Sequence, residues 1–320
     1  MIAVHLLLFA AAVSVCAPRA LARAGWVYRS PRLGIAAWYA VLGAVLMAVA
    51  GAVLAVAAPW QAGDASVCVA WRWCVQAARG GYGLAGRAAV AVVMLVGLAL
   101  AGRLLVTGLR LARAASTRRR MHVQMLTVAG RAVPELGATV VDDPRPAAYV
   151  VAGRARQMVV TTGALQQLRG DEVAAVLAHE RAHAAGRHDL LLDGMRLLAR
   201  AFPRMTLFAV ARAQLCRLVE LRADEVATVG HAPISLARAL VAMAAAAEAS
   251  PALAPAGAVA ATGGDAAERL HRLLTPPAPL LRVQKAALVA GIGVVALSPA
   301  AVLLAAQAFP VLGMCPTLPS

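Results

Sequence analysis

Three stretches of this chain are too long, too apolar and too free of charge to lie buried inside an ordinary globular domain. Leu33 to Ala58 contains no charged side chain, and neither does Ala286 to Phe309. Ala88 to about Leu109 is interrupted only by Arg103, close enough to one end for its guanidinium to reach the interface. At about 1.5 Å of rise per residue, each can cross a hydrocarbon core of about 30 Å. The composition agrees: 61% of residues are hydrophobic and 14% charged, against about 25% charged in a typical soluble domain. Lipid must solvate part of this chain. Ile2 to Ala17 adds a further apolar run. A secretory signal would begin with a positive segment, but Met1 to Leu8 holds no Lys or Arg, and Val15 is too large for a lipoprotein site at Cys16. The run therefore reads as a first span, giving four transmembrane helices.

The arginines predict an orientation. The first connection carries Arg19, Arg23, Arg29 and Arg32. The second, roughly Pro59 to Arg87, has Arg72, Arg79 and Arg87 opposed by Asp64. After the third span come Arg110, Arg113, Arg118, Arg119 and Arg120. This places both termini outside a multi-pass cell-membrane protein and residues from about 110 to 285 in the cytoplasm. The division expected is a three-helix transmembrane region over 1–112, a cytoplasmic domain over 113–284, and a fourth span with a short outer tail over 285–320.

A net charge of +16 could suggest nucleic acid as a partner. Much of the excess, however, sits beside the spans, where basic residues meet anionic lipid. No aromatic-interleaved basic platform accompanies it, so the partner expected is the bilayer and not nucleic acid. The five cysteines contain no Cys-x-x-Cys pair. Cys68 and Cys74 fall in a loop assigned outside, where a disulfide could persist.

Between the third and fourth spans the pattern changes. Ala138 to Val141, Ala148 to Ala152 and Gln157 to Thr162 are strand-like, with the turn-rich Asp142–Pro146 between the first two. From Leu165 the period becomes helical. A helix should run from about Asp171 to Ala185 before Gly186, others over Leu190 to Ala201, about Thr206 to Val229, and Ser235 to Ala249. Met121 to Ala138 shows mixed spacing and a turn-like end, and Ser250 to Gly264 reads as a linker. Asp189 to Leu215 carries Asp193, Arg196, Arg200, Arg204 and Arg212, too many charges for a span.

On the first of these helices lies His179-Glu180-Arg181-Ala182-His183. Two histidines at i and i+4 share one helix face and can present imidazole nitrogens to a single Zn²⁺. Glu180 falls beside such a metal, where it can take a proton from an activated water and pass it to a leaving amine. A surface helix with incidental histidines is the plain alternative. The apolar neighbours Val173, Ala174, Val176, Leu177 and Ala178 argue against it, because buried polar groups need a partner. A catalytic zinc takes three protein ligands, and His188, Glu220, Asp224 and Glu225 are candidates for the third. Glu220 and Asp224 share a face of a later helix. Glu220 could therefore bind the metal while Asp224 accepts a hydrogen bond from a ligand histidine. A solvated acidic face paired with Arg217 or Arg222 remains open. His188, beyond Gly186, reads as a surface or substrate-side residue.

The run Asp171–His183, followed by Glu220-Leu221-Arg222-Ala223-Asp224, resembles the gluzincin membrane metallopeptidases. Two groups share this pattern, HtpX/Ste24 (M48) and BlaR1/MecR1 (M56). A domain between the third and fourth spans, with the Pro203 to Leu215 lead-in, is more similar to M56, although the sensor domain of the antibiotic-sensing members is not expected in the short stretch after the last span. The resemblance implies a mainly α integral membrane protein with an α+β zinc protease domain. It implies zinc on His179, His183 and Glu220, Glu180 as base, Asp224 supporting a ligand, and substrate added as a strand beside Gln157–Thr162. The expected function is an endopeptidase acting on a cytoplasmic or membrane-associated protein. The alternatives are an HtpX-like quality-control protease and a non-catalytic signalling or scaffold protein with a structural metal. Arg222 and His188 are candidates to stabilise the oxyanion.

Overall fold

The computed structural model describes residues 2–57, 84–151, 157–249 and 263–312. Cys68, Cys74 and Cys315 lie outside the described residues. The chain forms two compact units, one of residues 1–24, 36–106 and 281–320, the other of 25–35 and 107–280.

The first unit is helical among its described residues. It holds α1 (Ile2–Arg23), most of α3 (Pro31–Ala57), the first half of α4 (Leu84–Ala129) and α11 (Arg282–Leu312). All four are long and apolar enough to cross a membrane. Their packing uses a device suited to lipid, where small residues bring backbones together. A side chain at Gly51 of α3 would meet Leu303 of α11 and Leu6 of α1 at 3.0 and 3.3 Å. Leu6, Trp38, Leu42, Ala44 and Ala48 are buried, whereas Leu95, Leu98, Val294 and Leu297 are exposed. A large apolar surface left outside a core fits lipid contact.

The second unit carries the remaining elements. The stretch 25–35 contributes α2 (Gly25–Arg29) and the start of α3. The first connection is thus mostly helical, with Pro31 at the opening position of α3, where proline's missing N–H costs nothing. The third apolar helix also runs on past Leu109 to Ala129. The mixed spacing over 121–129 reflects a helix with exposed residues such as Met121, Met125 and Val128. No proline or glycine interrupts it between Gly108 and Gly130.

The strands β1 (Gly130–Val133), β2 (Ala138–Val141), β3 (Ala148–Val151) and β4 (Gln157–Thr161) form one sheet of order β1-β2-β4-β3. β1 and β2 are an antiparallel hairpin whose turn places Gly137 at φ +60°, a conformation glycine adopts freely. β4 pairs parallel with β2 and antiparallel with β3. The sheet order overturns the substrate-binding role expected of one strand. Gln157–Thr162 cannot accept an added substrate strand, because both edges of β4 are already hydrogen-bonded. Among the described strands the open edges belong to β1 and β3, and β3 is the one packed along the next long helix, α6.

The helices α5 (Thr162–Gln167), α6 (Gly170–Ala185), α7 (His188–Ala201), α8 (Thr206–Ala227), α9 (Pro233–Ala249) and α10 (Gly263–Leu274) follow. α6 is central. Its Val173, Ala175, Val176 and Leu177 share a core with Val140 and Val160 of the sheet, Ala227 of α8, Leu236 and Ala237 of α9, and Leu273 of α10. The opposite face of the sheet is covered by Leu126 of α4, which packs with Val151 and Val159. With both faces covered, β4 is a nearly continuous β-branched run and not an alternating one.

Thr161 caps α5 by accepting from the Ala164 N–H, and the Gly163 N–H donates to the Asp143 carbonyl at 2.9 Å. A side chain at Gly163 would collide with the backbone of Pro144 and Arg145. Gly163→Ala should therefore destabilise this unit by about 1–3 kcal/mol. Thermal unfolding of the purified protein in detergent should show a midpoint several degrees lower; an unchanged midpoint would contradict this packing.

Candidate metal centre

Three elements build the site. α6 supplies His179, Glu180 and His183. α8 packs against α6 and supplies Glu220 and Asp224. The buried alanines Ala175, Ala182, Ala223 and Ala227 add little bulk to these two helices. α6 begins with acidic residues that suit a helix N-terminus, and the Glu172 carboxylate accepts the Arg169 N–H at 2.9 Å. His179 and His183 then project one turn apart, as their spacing predicts.

The Nε2 atoms of the two histidines lie 3.0 Å apart. Glu220 Oε2 is 3.5 Å from His179 Nε2, and Glu220 Oε1 is 3.5 Å from His183 Nε2. A tetrahedral ion bound at about 2.0–2.1 Å separates its ligands by about 3.3–3.4 Å. The three donors thus stand almost where the corners of such a tetrahedron would fall. Together they form a group able to hold a metal ion. Side-chain exposure rises from 8% at His179 through 19% at His183 to 31% at Glu220, so the group is most open on its Glu220 side.

Outer contacts hold the imidazoles from behind. Asp224 Oδ1 lies 2.9 Å from His179 Nδ1, a close approach whose alignment falls short of a good hydrogen bond. His183 Nδ1 and His188 Nδ1 are 2.9 Å apart. His188 is therefore not the surface residue its position suggests: it is buried at the start of α7. Arg187, in the left-handed conformation at φ +49°, turns the chain back. Gly186 makes room, because a side chain there would strike the His188 ring.

The electrostatics follow from burial and pairing. Burial alone would lower the His179 pKa, but its close pairing with the Asp224 and Glu220 carboxylates outweighs this and lifts it to about 9. With no metal bound, this pairing stabilises the fold fully below about pH 6.5, and the contribution fades as pH rises through about 9. Metal binding must displace that proton. Burial would raise Glu220, yet hydrogen bonds from both histidines and the nearby Arg269 hold it well below the usual carboxylate range. Glu180 goes the other way: burial pushes its carboxyl up, and the charges of His179 and His183 only partly oppose the shift. His188 is lowered to about 4, first by burial and then by His183.

The other candidates are placed elsewhere. Glu225 pairs with Arg272 at 2.6 Å and Arg222 at 3.3 Å, not with the imidazoles. Arg217 pairs with Glu268, and its guanidinium stacks 4.4 Å over the Tyr28 ring. A residue the motif did not reveal, Arg269 of α10, donates to Asp224 Oδ1 and Oδ2, both at 2.8 Å, and lies 3.0 Å from Glu220 Oε2. Its helix begins at Gly263, inside the stretch expected to be a linker. The apolar spacing of Leu270, Leu273 and Leu274 was the signal for it.

The profile of Peptidase family M48 matches residues 112–277, which contain every residue of the site and the whole of α10. Of the two groups the motif resembles, the profile names M48 and not the M56 group favoured by the order of the spans. No curated protein and no solved structure matches the chain.

Proposed function

The chain belongs to peptidase family M48, and we propose that it is a membrane-embedded, zinc-dependent endopeptidase. The family implies a metallopeptidase. The observation that carries the finer reading is the convergence of His179, His183 and Glu220 beside an otherwise unengaged Glu180.

In this reading His179 and His183, whose Nε2 atoms face Glu220, would hold zinc together with the Glu220 carboxylate. A bound zinc ion supplies Lewis acidity toward a water molecule and the scissile carbonyl. Asp224 accepts from His179 Nδ1 and fixes its tautomer. His188 stays neutral at physiological pH and accepts the Nδ1 proton of His183, so the other nitrogen faces the ion. Glu180 accepts a proton from the attacking water and returns it to the leaving amine. Its upward shift brings its basicity closer to the operating pH, which favours transfer in both directions. The open edge of β3, beside α6, is the strand to which an extended substrate would add.

The substrate class is a cytoplasmic or membrane-associated protein. Support comes from the four apolar helices and from the arginines flanking them, whose distribution favours both termini outside and the metal site inside. The M56-like order, with the protease segment ahead of a last apolar helix, is part of this proposal and is supported by α11 following α10. Regulatory cleavage and quality control differ in how many substrates they touch. Peptides accumulating in membranes of a Glu180→Gln strain distinguish them: one protein indicates regulation, many indicate quality control.

Protein purified in detergent should cleave casein or itself, lose that activity to a zinc chelator, and regain it on adding zinc. Zinc binding without any cleavage would favour the non-catalytic scaffold.

A further inference from the structure

On the metallopeptidase reading above, the two carboxylates of α8 have to be held in one orientation to serve a metal ion. Asp224 and Glu220 both approach His179, one at each ring nitrogen. Neither carboxylate is held by α8 alone. A helix fixes where a side chain starts, but Asp and Glu retain rotations about their terminal bonds. An outside partner must select the orientation that serves the metal.

Arg269 is that partner by geometry. Nε and Nη2 of its guanidinium engage both oxygens of Asp224 at 2.8 Å, and Nη1 reaches Glu220 Oε2 at 3.0 Å. A planar fork with both carboxylate oxygens on it leaves Asp224 little freedom to rotate. The arginine is itself fixed. It is buried, and α10 is pinned to α8 on either side of it through Glu268–Arg217 and Arg272–Glu225. Arg272 also donates to the Tyr28 carbonyl. The partners on α8 are residues 217, 220, 224 and 225, one face of the helix, so the two helices meet along a ladder of charge.

Charge balance supports the same assignment. A divalent ion facing Glu180, Glu220 and Asp224 leaves one negative charge in excess, and Arg269 cancels it.

We propose that Arg269 is a positioning residue of the metal site, whose planar fork orients the Asp224 and Glu220 carboxylates so that His179 and Glu220 face one ion. It touches neither the ion nor the substrate and acts through these two side chains.

The test must separate geometry from charge. Arg269→Lys keeps the positive charge and removes the fork, and Arg217→Lys makes the same change one rung away on the ladder. Zinc affinity of the full-length protein in detergent is measured by competition with a chromophoric chelator, and the cobalt-loaded forms are compared by visible absorption. Arg269→Lys should bind zinc about 10–100-fold more weakly and show a shifted cobalt spectrum, while Arg217→Lys should match the wild type in both. Wild-type affinity and spectrum in Arg269→Lys would overturn the proposal. So would an equal loss in Arg217→Lys, which would indicate general packing, or failure of Arg269→Lys to fold, which would indicate a core role. A wild-type chain that bound no divalent ion would instead overturn the metallopeptidase reading itself.

Discussion

Glu180→Gln should abolish detectable cleavage, with a fall in turnover of about 10²–10⁴-fold, while the protein keeps its fold and its metal. The replacement is nearly isosteric, and Glu180 engages no described side chain in a hydrogen bond or ion pair, so little packing is disturbed. What is lost is the ability to accept a proton. An amide cannot take one from water at neutral pH or return one to an amine. Burial raises the Glu180 carboxyl and the imidazoles limit the rise, a shift that suits the proposed transfer. Casein cleavage and metal content measured on the same preparation give the comparison. Wild-type cleavage in Glu180→Gln would assign the base elsewhere, and loss of metal would make Glu180 a structural part of the site.

Glu220→Ala should remove the metal as well as the activity. The carboxylate faces both imidazoles at 3.5 Å and is the only described member of the group contributed by α8. Without it two donors remain on one helix, fewer than the three a catalytic zinc takes. The loss of affinity should exceed the about 10–100-fold typical of removing a supporting contact. Glu225→Ala is the matched comparison. Glu225 is the next carboxylate but one along α8, and it is held by Arg272 and Arg222 away from the imidazoles. Its variant should retain zinc. Elemental analysis of both proteins reads the result directly, and equal zinc in Glu220→Ala and the wild type would remove Glu220 from the ligand set.

The sequence made some of this architecture readable and hid the rest for physical reasons. His179, Glu180 and His183 were legible because helical spacing alone puts two imidazoles on one face. Glu220 and Asp224 were legible as a face of a later helix, but the choice among four third ligands needed the packing of α8 against α6. His188 looked exposed because Gly186 ends a helix. What decides its position is the missing side chain at Gly186, which lets the ring fold back against His183. The strands are readable from β-branched runs, but their order is not, so nothing in the sequence shows that β4 is central and closed to the added strand that the resemblance implies. Arg269 was hidden twice, by an alanine- and glycine-rich approach that reads as linker and by a surplus of arginine. Of the 31 basic residues only Lys285 is lysine, so one more arginine carries no signal until its partners are in place.

One ion is expected between two imidazoles of α6 and a carboxylate of α8. X-ray absorption at the zinc edge of the intact protein in detergent tests it most directly. The prediction is a first shell of about four nitrogen or oxygen atoms at about 2.0–2.1 Å, with the multiple-scattering pattern of two histidines. Sulfur ligands at about 2.3 Å, a single histidine, or no zinc at all would contradict it.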